Sequence, residues 1–350
     1  MRILRWFLLF FPVAILAEVL HWGDLAVFIT SALAIVPLAG ILGEATEALA
    51  EKTGPRLGGL LNASLGNAAE LIITLFAIRA GQMELVKASI IGSILGNLLA
   101  VMGLSIFLGG LKYGLQKFNR SHVGLDATMT ILAVIAISVP SVFNAAIEPN
   151  TMRVEELSLS VAAAMLLIYI LSIIYGLKTR TVNEQAVLPE VQPSHTGPKW
   201  SLKQALGVLI LAVLGIALMS EFLVGSVETV VATLGVSEFF LGIIIVPIIG
   251  NIAEHLVAVQ VARKNQMDLS LAIALGSSLQ IALFVAPVLV FCSLLMGHPL
   301  TLEFNSFELI ALTSASIIAA FVALDGESNW LEGAMLLGVY LILGAAFYFL

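Results

Sequence analysis

Long apolar runs separated by short polar stretches fill almost the whole chain. A helix that crosses a bilayer needs about 20 mostly apolar residues, and this length predicts eleven membrane-spanning helices. They lie at roughly 3–20, 25–50, 57–79, 86–111, 123–144, 156–178, 202–224, 226–262, 268–296, 305–324 and 331–350, with residues 226–236 as a lead-in to the eighth. Hydrophobic residues make up 60% of the chain and charged residues 11%. The sequence therefore predicts an all-α integral membrane protein.

The positions of the basic residues predict the orientation of these helices. If the N-terminus is cytoplasmic, 13 of the 16 Lys and Arg residues lie on the cytoplasmic side, and only Arg79, Lys87 and Arg153 lie on the other. Because Lys and Arg are enriched in cytoplasmic loops, we expect a cytoplasmic N-terminus and an outward C-terminus. In a prokaryote the protein would lie in the plasma (inner) membrane. Arg2 and Arg5 precede the first apolar run, so a cleaved signal peptide is the alternative for that segment.

The chain carries one pattern twice. Residues 66–95 align without a gap with residues 250–279, at an offset of 184 positions, and 12 of the 30 aligned residues are identical. The identical residues include Asn, Glu, Arg and Gln, which chance matches between apolar helices do not align, so we infer an internal duplication. The copies are five predicted spans apart and would therefore cross the membrane in opposite directions. Such inverted repeats are typical of secondary transporters.

The duplication and the spans together predict four parts of the chain. Residues 1–24 form an N-terminal transmembrane helix, 25–178 a first repeat of five helices, 179–200 a cytoplasmic linker, and 201–350 a second, inverted repeat of five helices. The linker contains three prolines and few apolar residues, a composition typical of flexible connections.

Two glutamates lie near the middle of predicted spans, at the same place in both copies. An acidic side chain there costs on the order of 2.5–3.5 kcal/mol, so a bound partner or a function must account for the presence of Glu70 and Glu254. Asn67 and Asn251 precede them by three residues, and each span thus presents an amide and a carboxylate on one face. Such oxygen ligands indicate a hard cation, and Ca²⁺ accepts them in loose geometry. A structural carboxylate bonded to a neighbouring helix is the alternative.

Further oxygen donors follow in each copy. Ser93 and Asn97 in the first copy, and Ser277 and Gln280 in the second, would add neutral ligands. The copies end differently, so the site need not be symmetric. We also expect small residues and a proline inside the spans to break the helices and expose carbonyl groups, although close helix packing is the alternative use. These residues are Gly66, Gly92, Gly96, Pro247, Gly250 and Gly276.

Acidic residues also lie near the ends of spans. Glu44 and Glu47 occupy the cytoplasmic end of the second span, and Glu228 holds a related place in the other half. They would guide cations or relay protons, and solvated helix ends are the alternative. His255 is turned by about 100° from Glu254 on the helix, so neither a zinc site nor a Glu–His hydrolase is expected. A single cysteine excludes an internal disulfide, and the sparse basic residues indicate no nucleic-acid partner.

The motifs resemble those of the calcium/proton antiporters, or cation/proton exchangers, of the calcium/cation antiporter superfamily. The resemblance is carried by Gly66-Asn67-Ala68-Ala69-Glu70, Gly250-Asn251-Ile252-Ala253-Glu254, Gly92-Ser93-Ile94-Leu95-Gly96-Asn97 and Gly276-Ser277-Ser278-Leu279-Gln280. It implies eleven helices, Glu70 and Glu254 as calcium ligands that also take protons, and a site lined by Asn67, Asn251, Ser93, Ser277 and Gln280. By analogy with that family, a homo-oligomer such as a trimer is an expected assembly. The linker lacks the long acidic run of some relatives, so a calcium sensor in the linker is not expected.

The expected function is export of calcium from the cytoplasm in exchange for protons. Two carboxylates in a cavity of low dielectric cannot both stay ionised at low cost, so calcium and protons would compete for Glu70 and Glu254. Ca²⁺ and H⁺ are then the substrates, and neither enzymatic activity nor a cofactor is expected. A sodium/calcium exchanger, a manganese/proton antiporter and a channel are the alternatives. Sodium coupling would need further acidic or hydroxyl-rich sites, and the residues that follow the glycines are neutral.

Overall fold

The computed structural model describes residues 4–146, 151–182 and 200–349, and almost all of this part of the chain is helical, as predicted. The helices are α1 (Phe10–Val19), α2 (Asp24–Leu65), α3 (Ala68–Arg79), α4 (Met83–Leu95), α5 (Met102–Tyr113), α6 (Arg120–Ala146), α7 (Thr151–Val182), α8 (Leu202–Gly225), α9 (Val227–Leu234), α10 (Glu238–Phe240), α11 (Val246–Ala262), α12 (Met267–Gln280), α13 (Ala286–Leu295), α14 (Ser306–Asp325) and α15 (Trp330–Tyr348). A 3₁₀ segment, Leu4–Leu9, precedes α1, and π-helical segments π1 (Gly96–Val101), π2 (Leu241–Ile245) and π3 (Ile281–Val285) join neighbouring helices. A two-residue antiparallel pair, β1 (Gln116–Lys117) with β2 (Glu327–Ser328), is the sheet found in the described residues.

Nine helices in the described residues are long and apolar enough to cross a membrane. They are Asp24–Thr53, Met83–Tyr113, Val123–Ala145, Met152–Gly176, Leu202–Gly225, Glu238–Ala262, Met267–Leu295, Ser306–Asp325 and Trp330–Tyr348. These nine coincide with nine of the predicted spans. The other two predictions fall on shorter pieces: residues 3–20 contain the apolar helix Trp6–Val19, and residues 57–79 are divided between the end of α2 and α3. Most of the predicted linker, residues 183–199, lies outside the described residues.

Helix α2 is helical over all 42 residues but bends sharply between residues 50 and 58. In a straight helix, residues 50 and 58 would be about 12 Å apart along the axis. A Cβ atom at Gly58 would instead lie 2.6 Å from the carbonyl oxygen of Ala50. The bend divides α2 into a first part, up to Thr53, that is long enough to cross a membrane, and a shorter second part. It falls between the predicted spans 25–50 and 57–79.

One of the expected helix breaks is present. Gly66 and Asn67 separate α2 from α3, and Gly96 begins π1 without interrupting the helix. Pro247 does not break its helix either. It occupies the first turn of α11, where the N–H that proline lacks would have no partner within the helix.

The expected breaks at Gly92, Gly250 and Gly276 are wrong, because α4, α11 and α12 are continuous at these residues. Two of the three glycines serve close packing instead. A Cβ atom at Gly92 would lie 2.0 Å from the carbonyl oxygen of Ile243, and one at Gly250 would lie 3.3 Å from the Cβ of Glu70. A methyl group at Gly92 would collide with backbone, and one at Gly250 would require Glu70 to shift slightly, so these glycines allow a neighbouring helix to approach closely rather than the backbone to bend.

The connecting loops gather at the two ends of the helix bundle. At one end, here called the strand end, β1 pairs with β2, and Gln116 Nε2 donates to Asn265 Oδ1 at 2.9 Å. At the other, here called the far end, Gln82 Nε2 donates to the Val224 carbonyl at 3.2 Å. The loops at the strand end are those predicted to be cytoplasmic, and the loops at the far end are those predicted to face outward.

Burial places α4 and α5 at the centre of the bundle. In the most apolar part of Met83–Tyr113, 83% of the residues are buried, compared with 22% in Met152–Gly176. Helix α7 therefore lies at the periphery, and large apolar side chains such as Leu167 and Leu171 are exposed on it, as expected for contact with lipid. The central position of α4 buries its polar residue Ser93 completely.

Candidate cation-binding site

The two Gly-Asn-x-x-Glu motifs cross each other inside the bundle. A Cβ atom at Gly250 would lie 3.3 Å from the Cβ of Glu70, and a Cβ atom at Gly66 would lie 3.1 Å from Oε1 of Glu254. Each glycine thus lies against the glutamate of the other motif. The crossing brings together two glutamates that are 184 positions apart in the sequence.

Two donors hold the carboxylate of Glu70, which is fully buried. Ser93 on α4 donates to its Oε1, and Asn251 on α11 donates to its Oε2 at 3.2 Å. The Asn251 amide also donates to Ser93 Oγ at 3.1 Å, so the three side chains form a closed triangle. The break before α3 places Glu70 in the first turn of this helix, where the positive end of the helix dipole stabilises a carboxylate.

Glu254 has a different environment, because it lies inside the continuous helix α11 and is partly accessible. The Ser277 hydroxyl lies between the Glu254 carboxylate and the Asn67 amide, and it donates to Asn67 Oδ1 at 3.1 Å. Asn67 Nδ2 donates to Gln280 Oε1 at 2.8 Å. Asn251 therefore bonds to the glutamate of the opposite motif, whereas Asn67 bonds to Gln280. We call these seven residues the glutamate cluster: Glu70, Ser93, Asn251, Glu254, Ser277, Asn67 and Gln280.

Two buried oxygen atoms of the cluster have no hydrogen-bond partner in the described part of the chain. They are Oε2 of Glu254 and Oδ1 of Asn251. An unpaired buried acceptor costs about 1–3 kcal/mol, and either a water molecule or a bound cation would remove this cost. Both are oxygens of the kind that a hard cation binds, and their residues are three positions apart on one helix face. A cation bound there would also neutralise Glu254 and Glu70, whose charges repel each other.

The chemistry of the donors suits calcium. Among the described residues, no group of three or more His, Cys, Asp or Glu side chains is placed to hold a metal ion. The glutamate cluster combines two carboxylates with amide and hydroxyl oxygens instead. Zinc sites use nitrogen and sulfur ligands in tight tetrahedral geometry, whereas Ca²⁺ takes neutral and charged oxygens together.

Asn97 lies outside the glutamate cluster, although the sequence analysis included it among the ligands. Its Oδ1 is 3.1 Å from Nε2 of His255, and its Nδ2 is buried without a partner in the part of the chain that the structure describes. His255 thus links π1 to α11 beside Glu254, a role that sequence reasoning missed. At the equivalent positions of the other half, Leu71 and Ile281, both residues are apolar. The sequence feature that could have predicted this contact is a pair of polar residues present in only one of the two copies.

The three predicted pathway glutamates also lie outside the glutamate cluster. Glu44 and Glu47 are one turn apart on the first part of α2, and Glu47 is exposed while Glu44 is partly accessible. Glu228 is exposed on the short helix α9, next to the far end. Their part in guiding ions stays a prediction.

The chain matches known transporters over nearly its whole length. A family model described as "Sodium/calcium exchanger protein" matches residues 24–178 and 204–349, which flank the predicted linker. A protein of Aphanothece halophytica named "Ca(2+)/H(+) antiporter" is 44% identical, covering 98% of this chain and 95% of the relative. A protein of Synechocystis sp. with the same name is 45% identical, covering 98% and 96%. The crystal structure of a selenium-substituted Ca²⁺/H⁺ antiporter protein, YfkE, is 38% identical with a TM-score of 0.85, and each chain covers 100% of the other.

Proposed function

Because the chain belongs to the sodium/calcium exchanger protein family, we propose that it is a secondary transporter that exports calcium from the cytoplasm in exchange for protons. The family description names sodium, but the relatives that share 44% and 45% identity with this chain are named calcium/proton antiporters. Their similarity over 98% of the chain supports protons as the counter-ion. The protein is a transporter and not an enzyme.

The observation that carries this proposal is the glutamate cluster. One glutamate comes from each half of the chain, and the two meet at a crossing of α3 and α11 where neutral oxygen donors surround them. The unpartnered oxygens of Glu254 and Asn251, within the described residues, supply two ligands for a cation. We assign calcium binding to Glu70, Glu254, Asn251, Asn67, Ser93, Ser277 and Gln280. Asn97 contacts His255 and is not assigned as a ligand.

Competition for the same two carboxylates accounts for the exchange. One Ca²⁺ and two protons carry equal charge, so either occupant neutralises Glu70 and Glu254. An empty site would leave two negative charges in a medium of low dielectric, and moving them past the apolar core is costly. The loaded forms can therefore change their accessible side, and the empty form cannot. The exchange requires no covalent step and no cofactor.

We further propose that the polypeptide crosses the membrane eleven times, with a cytoplasmic N-terminus and two inverted five-helix repeats. The grouping of the loops at two ends supports alternating crossings. The π segments support the duplication: π1 shifted by 184 positions covers residues 280–285, and π3 is Ile281–Val285. The first crossing would be the helix Trp6–Val19 with its flanks, and the third would be the second part of α2 with α3.

Ion flux in inverted membrane vesicles tests the proposed function. Vesicles that contain the protein and are acidic inside should accumulate ⁴⁵Ca²⁺ until the pH gradient is collapsed with an uncoupler. Vesicles that contain the Glu70→Gln variant provide the matched control. Calcium accumulation driven by a sodium gradient alone would show that the counter-ion is sodium and not protons. Flux that does not saturate and needs no counter-gradient would indicate a channel, and preferred accumulation of Mn²⁺ would change the substrate.

A further inference from the structure

A tight helix crossing lies between the far end and the glutamate cluster. A Cβ atom at Gly92 on α4 would lie 2.0 Å from the carbonyl oxygen of Ile243, and a Cβ atom at Gly242 would lie 2.8 Å from the carbonyl oxygen of Leu85. Both glycines therefore meet backbone, which cannot move aside as a flexible side chain can. Gly242 would also place a Cβ atom 2.7 Å from the Cβ of Ala88. We call Gly92, Gly242, Leu85 and Ala88 the far-end lock.

The same four residue types recur in the other half of the chain. Shifted by 184 positions, Leu85, Ala88 and Gly92 become Leu269, Ala272 and Gly276 on α12, and the equivalent of Gly242 is Gly58. Leu269, Ala272 and Gly276 lie between the strand end and Ser277 of the glutamate cluster. We call these equivalents, with Gly58, the strand-end lock.

The equivalent contact is not formed at the strand-end lock. Among the described residues, nothing lies within 4 Å of a Cβ atom at Gly276, and Gly58 packs against its own helix at Ala50. Ala272 is exposed, whereas its equivalent Ala88 is 0% exposed. The accessibility of the glutamates follows the same asymmetry, since Glu254 is partly accessible and Glu70 is fully buried.

We propose that the two glycine locks are alternating gates, of which one is closed whenever the other is open. The proposal rests on the proposed function, because it supplies the gates that an exchanger needs on the two sides of its site. In the state seen here the far-end lock is closed and the glutamate cluster is reached from the strand end. In the opposite state Gly276 and Gly58 pack as Gly92 and Gly242 do here, and the far-end lock is open.

Backbone contacts at glycine make each lock a two-state element. Packed helices are not continuously deformable, so a contact of this kind is either formed or absent. A methyl group added at one lock would clash in one state alone, and it would shift the population toward the other state. Gly92→Ala should therefore favour the state that is open at the far end. Gly276→Ala meets no atom in the present state, so this variant should fold and should disfavour closure of the strand end.

Labelling of single cysteines measures the two gates without any transport. On a background with Cys292→Ser, Leu85→Cys reports on the far-end lock and Ala272→Cys on the strand-end lock. Leu85 is 1% exposed and meets Gly242 through its backbone, so the smaller cysteine side chain adds no atom to the contact. A membrane-impermeant thiol reagent is added to vesicles of each orientation. We expect Gly92→Ala to speed labelling at 85 and slow labelling at 272, each by at least about tenfold, which corresponds to about 1.4 kcal/mol. Gly276→Ala should keep 272 reactive and 85 protected, as in the reporter proteins without a lock substitution.

Two further variants keep the test decisive. Gly242→Ala replaces Gly92→Ala if the latter fails to fold, and it should give the same pattern. Gly338→Ala is the matched control, because within the described residues no atom lies within 4 Å of a Cβ atom at this glycine of α15. Parent-like labelling of both reporters in folded Gly92→Ala and Gly242→Ala would overturn the locks, even if the parent exchanges calcium for protons. The expected opposite patterns in a parent that shows no such exchange would support the locks and overturn the proposed function.

Discussion

Asn251 Nδ2 lies 3.2 Å from Oε2 of Glu70, so a side chain of the second half of the chain holds the glutamate of the first half. The reciprocal bond is not formed, because Asn67 Nδ2 bonds to Gln280 at 2.8 Å. The two halves therefore share one cluster, but they contribute to it unequally. Oε2 of Glu254 and Oδ1 of Asn251 have no hydrogen-bond partner in the described residues.

Neutralising either glutamate should abolish transport. Glu70→Gln and Glu254→Gln keep the volume of the side chain but provide neither the charge that attracts calcium nor a site for the exchanged proton. We expect calcium uptake driven by a pH gradient to fall to the level of empty vesicles in both variants.

The amount of inserted protein, measured by quantitative labelling of vesicles, controls for loss of the transporter itself. Glu156→Gln is a matched control, since Glu156 is exposed on α7 and lies outside the glutamate cluster. Near-normal uptake by either cluster variant would remove that glutamate from the transport mechanism.

The two asparagines should contribute less than the glutamates and should differ from each other. Asn251→Ala removes a donor to Glu70 and an unpartnered oxygen, whereas Asn67→Ala removes a bond to Gln280. We expect calcium affinity to fall about tenfold in Asn251→Ala, or about 1.4 kcal/mol, and by a smaller factor in Asn67→Ala. Calorimetric titration of the purified protein with calcium measures both. Unchanged affinity in Asn251→Ala would contradict its assignment as a ligand.

The contact between the halves can be tested by cross-linking. Asn251 Nδ2 lies 3.1 Å from Ser93 Oγ, so cysteines at both positions should react together with a short bifunctional thiol reagent. The background carries Cys292→Ser, and the two single-cysteine proteins are the controls. Cleavage of the predicted linker before electrophoresis makes the cross-link visible as two fragments held together. Separation of the fragments after treatment would show that α4 and α11 do not meet at the site.

The Asn97–His255 pair should be coupled in stability. Removal of one partner leaves the other as an unsatisfied buried group, at a cost of about 1–3 kcal/mol, whereas replacement of both by apolar residues can be nearly neutral. We expect Asn97→Leu and His255→Leu each to lower the midpoint of thermal unfolding in detergent, and the double variant to recover part of the loss. A double variant whose loss equals the sum of the single losses would show that the pair does not interact.

The sequence predicts the helical architecture well because spans and repeats leave strong signals. Nine of the spans coincide with long helices, and the repeat pointed to the motifs that cross at Gly66 and Gly250. The breaks at Gly92 and Gly276 were wrong, since glycine permits both a break and a close approach, and the distinction depends on the partner helix. The Asn97–His255 contact was missed because it joins residues 158 positions apart across the two halves.

The asymmetry of the site was beyond sequence reasoning for a similar reason. Asn67 and Asn251 occupy equivalent positions, and a linear pattern assigns them equal roles. Their different partners follow from the break before α3, which is absent in α11, and from Gln280, whose equivalent is Gly96. Only the packed helices show which amide meets which carboxylate.

In the proposed mechanism calcium and protons compete for Glu70 and Glu254, and the number of protons released when calcium binds reports on this competition. The purified protein is titrated with calcium by calorimetry in buffers of different ionisation enthalpy, at a pH where the site is partly protonated. We predict proton release on binding by the parent, tighter calcium binding as the pH rises, and less release in Glu254→Gln than in the parent. Calcium binding that releases no protons and has the same affinity at every pH would show that the two ions do not compete for these glutamates.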